Sequence, residues 1–237
     1  MSKYRVKVMD IVEEATDTKT YIFKKPEELV WSEGTHIHIG IKGFDEVDPP
    51  RKSWVRHMSI STLPSDNFIG ITTRVPGSES EFKQKLNQLN IGDEVVLFKM
   101  GSRMELRREQ RPIVLLSMGV GIATFRPLIH AFIKDHQGIS ALTHINVQSE
   151  SNPVYYNQFQ QLHHDHLTLH WANSRKEFYE MVANTIEENP HAYYYIVGSD
   201  LFLQNVIQFL KKYQIDMEDM IIDKKVFELL RYYNYPK

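Results

Sequence analysis

Short apolar and β-branched segments, separated by turn residues, make up the first half of the chain. Six of them have the pattern of strands, at residues 4–12, 19–23, 35–42, 55–61, 68–75 and 94–98. One helix interrupts the series: Phe82, Leu86 and Leu89 have helical spacing, with Ser80 as an N-cap before them and Gly92 after them. Strands with so little helix between them are typical of a small antiparallel β-barrel.

The second half alternates strands with helices. Residues 113–116 form a continuous apolar run, which favours a parallel strand covered on both faces. An amphipathic helix follows, with Thr124 as its predicted N-cap and Pro127 in its first turn. Further strands are expected at 139–147, 167–171, 193–197 and 220–223, and further helices at 155–162, 176–187 and 201–213. This pattern predicts an α/β domain in which helices cover both faces of a parallel sheet.

Two glycines, Gly119 and Gly121, lie between the strand at 113–116 and the helix after it. At such a junction, glycines let backbone N–H groups at the helix start face an anion or a dinucleotide. The same spacing also serves close packing of the helix on the strand. These residues alone do not decide between nucleotide binding and close packing.

Composition and charge exclude several kinds of protein. The 237 residues contain no cysteine, which excludes disulfides, a cysteine nucleophile and a cysteine-ligated iron–sulfur cluster. The formal net charge is −2, without the basic tail of a nucleic-acid-binding protein. The first residues lack the apolar core of a signal peptide, and no apolar run approaches the roughly 20 residues that span a bilayer. We therefore expect a cytoplasmic protein with no membrane span and no nucleic-acid partner.

The segment Arg56-His57-Met58-Ser59 begins the fourth predicted strand. The forked donors of arginine suit a pyrophosphate, although Arg56 by itself is also compatible with a solvated charge at a strand edge. The segment resembles the Arg-x-Tyr-Ser motif of the ferredoxin–NADP reductase superfamily of FAD-dependent oxidoreductases, and this resemblance covers almost the whole chain. It implies that all four residues bind the flavin, and that Ser59 acts catalytically by contacting the reducible edge of the isoalloxazine.

A second segment, Gly77-Ser78-Glu79-Ser80, resembles the Gly-x-x-Ser or Gly-x-x-Thr motif of the same superfamily. A glycine loop that runs into a helix start offers free N–H groups to phosphates, although an ordinary capped helix has the same pattern. The resemblance implies that Gly77, Ser78 and Ser80 bind the phosphates of FAD.

The segment 118–128, MGVGIATFRPL, resembles the superfamily's dinucleotide loop, Gly-Gly-x-Gly-Ile-Thr-Pro-Phe-Arg. The resemblance implies that Gly119, Gly121 and Thr124 contact the pyridine nucleotide. Gly198 stands where the superfamily has a Tyr-x-Cys-Gly-Pro segment beside the nicotinamide, and the segment IIDKKVF at 221–227 resembles the closing strand.

Ser174 and Arg175 follow the predicted strand at 167–171. They match a Ser-Arg pair that holds the 2′-phosphate of the nucleotide in NADPH-using members, and charge-assisted donors suit such a dianion. From the residues alone, Ser174 is also a helix cap and Arg175 a surface charge. Because the pair matches the residues that hold the 2′-phosphate, the resemblance favours NADPH over NADH as the hydride donor.

Taken together, the resemblance implies an FAD-binding barrel domain at 1–105 and an NAD(P)-binding α/β domain at 106–237. It implies an oxidoreductase that takes hydride from NADPH or NADH onto FAD and passes electrons to a separate acceptor. That acceptor is an electron-carrier protein such as ferredoxin or flavodoxin, or a small molecule. The alternatives are a ferric-siderophore or free-flavin reductase, and a non-catalytic flavin-binding regulatory module.

Several positions depart from the superfamily's motifs. Met58 replaces the tyrosine that contacts the flavin, and Val197 and Ser199 replace the cysteine and proline of the nicotinamide segment. Met118 and Ala123 replace a glycine and a threonine of the dinucleotide loop. Met58, Ala123, Val197 and Ser199 motivate the non-catalytic alternative.

Histidines form two groups that we do not interpret as metal sites. His163, His164, Asp165 and His166 lie in a predicted helix-to-strand connection, where neighbouring side chains are expected to point apart. His36 and His38 share one face of a predicted strand, where they line the flavin or cover the barrel surface. No metal ligand set is predicted.

Overall fold

The structure is a computed structural model that describes residues 2–75, 77, 80–148 and 152–234. It divides into two compact units, Met1–Ser102 and Arg103–Lys237, near the boundary expected between residues 105 and 106. The Tyr195 hydroxyl donates to the Glu105 carbonyl at 2.7 Å and accepts from the Arg107 N–H at 2.9 Å. These two bonds tie the start of the second unit to its sheet. No helix in the described residues is long and apolar enough to cross a membrane.

The first unit is built on six antiparallel strands: β1 Lys3–Ala15, β2 Thr18–Lys24, β3 Thr35–Ile41, β4 Val55–Ser59, β5 Phe68–Arg74 and β6 Glu94–Ser102. They hydrogen-bond in the order β4-β3-β6-β1-β2-β5. Just after β4, the Ser61 N–H donates to the Gly70 carbonyl of β5 at 2.8 Å, so the two edge strands are joined. The predicted antiparallel barrel is confirmed.

The barrel core follows from strand alternation. Ile37, Ile39 and Ile41 of β3 point to the interior, and each is at most 7% exposed. The helix α1, Glu81–Asn87, adds Phe82 and Leu86, which are fully buried in the same core. Burying side chains of this size contributes roughly 1.5–3 kcal/mol each, which holds α1 against the barrel.

The second unit alternates strands and helices: β7 Arg111–Met118, α2 Ile122–Lys134, β8 Ile139–Val147, α3 Tyr156–Gln160, β9 Leu167–Ala172, α4 Arg175–Glu188, β10 Tyr193–Val197, α5 Asp200–Lys212, β11 Met220–Ile222 and α6 Val226–Tyr233. The strands form one parallel sheet in the order β11-β10-β7-β8-β9. The predicted parallel-sheet domain is confirmed.

Helices cover both faces of this sheet. Val114 and Leu116 of β7 belong to a core that also contains apolar residues of α4, α5 and α6. On the other face, His144 of β8 lies beside Leu115 in register and contacts the ring of Phe125 from α2. Because α2 and α5 lie on opposite faces, the chain leaves the adjacent strands β7 and β10 in opposite directions. This arrangement opens a crevice at the carboxyl ends of β7 and β10.

Two expectations about helices were wrong. Thr124 is not the N-cap of α2, because the 3₁₀ turn Gly119–Gly121 runs directly into a helix that starts at Ile122. Pro127 therefore lies inside the helix rather than in its first turn. The expected closing strand ends at Ile222, and residues 226–227 belong to α6. Glu228 explains this change, since its carboxylate accepts the Lys225 N–H at 3.0 Å and caps the helix.

Candidate functional site

The two flavin-like motifs of the first unit meet at one hydrogen bond. Nη2 of Arg56, on β4, donates to Oγ of Ser80 at 3.0 Å, and its Nη1 donates to the Val55 carbonyl at 2.9 Å. Ser80 occupies the N-cap position of α1, but its hydroxyl makes no capping bond. The side chain therefore faces the guanidinium group instead of the helix backbone. The guanidinium group of Arg56 has further N–H donors, which suits it to an anion.

The rest of the second motif is only partly described. Gly77 has a positive φ of 68°, a conformation that glycine adopts without strain. Ser78 and Glu79 lie outside the described residues, and so does the expected contact of Ser78 with a cofactor. Gly77 and Ser80 are the described members of this motif.

Strand alternation separates the four residues of the first motif onto two faces of β4. Met58 shares the face of Arg56 and packs against the barrel core. His57 and Ser59 share the other face, where the His57 ring lies 3.9 Å from that of His36, centroid to centroid. His57 is therefore on the face opposite to Arg56, and Ser59 lies beside His36 in register.

Sequence reasoning missed two cations near Arg56. Nζ of Lys83, on α1, donates to the main-chain carbonyl of Arg74 at 2.7 Å. Burial lowers the pKa of Lys83, and the positive charges of Arg56 and Arg74 lower it further. Lys83 therefore lies near two arginines, of which Arg74 also pairs with Asp17 at 3.7 Å. The signal in the sequence was the position of Lys83, three residues after Ser80 and so on the same side of a helix.

In the second unit, the two glycines have different roles. Gly119 has a positive φ of 54°, a backbone conformation that favours glycine. A Cβ on Gly121 would lie 2.9 Å from the Val197 carbonyl oxygen and 3.3 Å from its Cγ1. Gly121 therefore permits the close approach of the loop after β7 to the end of β10. This contact supports the packing interpretation of Gly121 and narrows the crevice between the two strands.

The other predicted nucleotide contacts lie at the ends of two strands. Ser174 is the N-cap of α4, and its Oγ accepts the Glu177 N–H at 3.2 Å. Arg175 is exposed at the first position of that helix, next to Ser174. Gly198 follows β10 and closely approaches the ring of Phe202. Thr124 lies in the first turn of α2 and is 5% exposed, and its contact with the nucleotide stays a prediction.

The histidine connection before β9 differs from expectation in one respect. The rings of His164 and His166 do not point apart; both contact the ring of His136, at centroid distances of 4.9 and 5.7 Å. Within the described residues, however, no group of three metal-ligating side chains is placed to hold an ion. Two of the three imidazoles, those of His136 and His164, also contact the Phe132 ring.

Comparison with solved structures identifies the fold. A ferredoxin–NADP⁺ reductase from Neisseria gonorrhoeae with bound FAD and NADP superposes with a TM-score of 0.75 at 13% identity, over 93% of this chain and 98% of that one. The ferredoxin–NADP⁺ reductase of Plasmodium falciparum with 2′P-AMP gives 0.73 at 15% identity, over 92% and 94%. The Amycolatopsis cytochrome P450 reductase GcoB gives 0.71 at 15% identity, over 94% and 70%.

No protein-family model matches the chain, and no curated protein matches its sequence. The structural similarity nevertheless extends over nearly the whole chain. The chain therefore has the two-domain fold of the ferredoxin–NADP reductases, as the sequence motifs suggested.

Proposed function

We propose that the chain is a flavoprotein oxidoreductase that takes hydride from NADPH, or NADH, onto FAD and passes electrons to a separate acceptor. The observation that carries this proposal is the 3.0 Å hydrogen bond between Arg56 and Ser80, two residues 24 positions apart that belong to separate motifs. The solved structure of similar fold that contains both FAD and NADP supports the same cofactor pair. The cytoplasmic location expected from the sequence is part of the proposal.

The donor set of the first unit fits a flavin phosphate. The guanidinium of Arg56 supplies paired N–H donors, Ser80 supplies a hydroxyl, and Gly77 lets the backbone approach closely. Ser59 would hydrogen-bond the isoalloxazine, and Met58 would pack against it. A thioether offers no donor, so we expect the ring to be held more by packing than by hydrogen bonds on that side.

The second unit offers donors for a pyridine nucleotide with a 2′-phosphate. Ser174 accepts a backbone N–H, so its own O–H remains available as a donor. Within the described part of the chain, Arg175 makes no hydrogen bond or ion pair, and its charge stands at the start of α4. Gly119, beside which there is open space, would let the loop after β7 approach the rest of the nucleotide. Gly121 and Gly198, whose free space is taken by Val197 and Phe202, would contact it through their backbone.

Hydride transfer between two cofactors requires residues that bind and orient them rather than residues that donate or accept protons. When bound, FAD supplies the two-electron acceptance of hydride and the onward transfer of electrons. The chain's residues bind the phosphates and hold the ring edge at Ser59. Because these 237 residues contain no cysteine, they cannot hold a cysteine-ligated cluster, and the proposed acceptors are a carrier protein or a small molecule.

A non-catalytic flavin-binding module is the second candidate, and a specific observation favours it. Val197 replaces the superfamily's cysteine, and its carbonyl and Cγ1 are close to Gly121 at the crevice. A branched apolar side chain there would hinder a nicotinamide more than a cysteine would. A ferric-siderophore or free-flavin reductase would differ from the first proposal only in its acceptor.

Flavin binding by Arg56→Ala tests the proposal. Losing a charge-assisted contact costs about 1.5–3 kcal/mol, so we expect the dissociation constant for FAD to rise about ten- to a hundredfold. Fluorescence titration of FAD measures it. Arg5→Ala is the matched control, because Arg5 lies on β1 and pairs with Asp45 and Glu94. Wild-type FAD affinity in the Arg56 variant would contradict the proposed flavin site.

A further inference from the structure

Three cations form what we name the α1 cation cluster: Arg56 on β4, Arg74 at the end of β5 and Lys83 on α1. Lys83 is linked to Arg74 through the 2.7 Å bond to its carbonyl, and Ser80, one turn before Lys83, is linked to Arg56 at 3.0 Å. Three separate elements therefore converge on one site around the start of α1.

Lys83 differs from Lys85, the other lysine of α1, in its surroundings. It is half-buried, and among the described residues no carboxylate forms an ion pair with it. The charges that act on it are those of Arg56 and of Arg74, whose own guanidinium group pairs with Asp17 at 3.7 Å. Lys85, two residues away, instead lies over the Trp54 ring at 3.9 Å from its centroid. A partly buried ammonium group among like charges is unfavourable unless an anion joins it.

We propose that Lys83 contacts the second phosphate of a flavin dinucleotide and thereby selects FAD over FMN. This inference rests on the proposed function, since it assigns a further residue to the same flavin site. The two flavin motifs of the superfamily, at 56–59 and 77–80, do not include this residue.

The argument for two phosphates comes from the geometry of the donors. The planar fork of Arg56 suits one phosphate group, which it can bind bidentately with Ser80 alongside. Lys83 is one helical turn beyond Ser80, so its flexible ammonium group can reach a neighbouring phosphate. A monophosphate such as that of FMN occupies the first position and leaves Lys83 without an anion. A diphosphate such as that of FAD satisfies both.

The experiment measures dissociation constants for FAD and for FMN by fluorescence titration of the full chain. The variants are Lys83→Met, the charge-conserving Lys83→Arg, and Lys85→Met as a control on the same helix, with circular dichroism as a check of folding. We expect Lys83→Met to weaken FAD binding about ten- to a hundredfold and FMN binding less than about threefold. Lys83→Arg should retain most of the preference for FAD, and Lys85→Met should leave both constants near those of the wild type.

The outcomes separate this inference from the proposed function. A wild-type chain that binds neither flavin removes the proposed function and the inference together. A wild-type chain that binds FAD, while Lys83→Met binds it equally well, overturns the inference alone. An equal loss for FAD and FMN also overturns it, because Lys83 would then act on a phosphate common to both.

Discussion

His144 should make the stability of the second unit sensitive to mild acid. It is fully buried on β8, and its Nε2 lies 3.0 Å from Oγ of Ser117. Because the Ser117 hydroxyl donates to Oδ1 of Asn146 at 2.8 Å, its oxygen accepts from an Nε2–H of a neutral His144. Aromatic rings surround the imidazole, with the Phe125 centroid at 5.9 Å.

Burial lowers the pKa of His144 from 6.5 to about 3, and the nearby charge of His170 adds to the effect. In the unfolded chain the imidazole has its ordinary pKa and gains a proton below about pH 6.5. The pKa of the folded state is depressed, so the folded chain does not take up this proton until about pH 3. The free energy of unfolding is therefore unaffected by His144 above about pH 6.5 and falls as the pH drops from 6.5 towards 3. Each unit of pH costs about 1.4 kcal/mol in this window.

At about pH 5, this one group should reduce the free energy of unfolding by about 2 kcal/mol relative to neutral pH. Urea denaturation followed by the helical circular dichroism signal measures it, because α2 to α6 all lie in the second unit. His144→Leu removes the titrating group and leaves the bond from Ser117 to Asn146 in place. The exposed His163 supplies the control variant His163→Leu.

Between pH 7.5 and 5, we expect the free energy of unfolding of His144→Leu to fall by about 2 kcal/mol less than that of the wild type. His163→Leu should show the same pH dependence as the wild type. An identical pH dependence in the wild type and in His144→Leu would refute the reasoning. It would mean that the buried imidazole accepts a proton in the folded state, or that it is not buried as described.

Two further predictions concern the second unit. Gly121→Ala should destabilise it by about 1–3 kcal/mol and weaken NADPH binding, because the new Cβ would meet the Val197 carbonyl at 2.9 Å. Thermal unfolding and nucleotide titration measure these effects, and unchanged values would show that the loop relaxes freely. Arg175→Ala should raise the Michaelis constant for NADPH about tenfold and leave that for NADH nearly unchanged. Equal effects on both nucleotides would remove the phosphate role of Arg175.

The strands were predictable because barrel strands such as β1 alternate between buried and exposed positions, while the central strand β7 is buried on both faces. The continuous apolar run at 113–116 is fully buried in the middle of the parallel sheet, and the predicted strand 139–147 matches β8. Pattern did not reveal that His144 and Asn146 are buried polar residues of that strand. Their burial depends on Ser117 of the neighbouring strand, a tertiary hydrogen bond that no local spacing encodes.

The candidate site was predictable as far as its motifs extend. Arg56 and Ser80 were predicted from separate segments, but the hydrogen bond between them depends on the tertiary fold. Lys83 was missed because a lysine on a short helix is usually exposed to solvent. Its contact with the Arg74 carbonyl exists only in the folded chain. Thr124 was misplaced because the helix starts in the glycine turn itself, so the first polar residue was not its cap.

The visible absorption spectrum of the purified protein, before and after anaerobic addition of NADPH and then of NADH, tests the central proposal most directly. The proposed function predicts a flavin band that bleaches with nucleotide, and bleaches faster with NADPH because of Arg175. A flavin band that persists with both nucleotides would contradict hydride transfer and favour the binding module. A protein that shows no flavin band even after FAD is added would contradict the flavin site at Arg56 and Ser80.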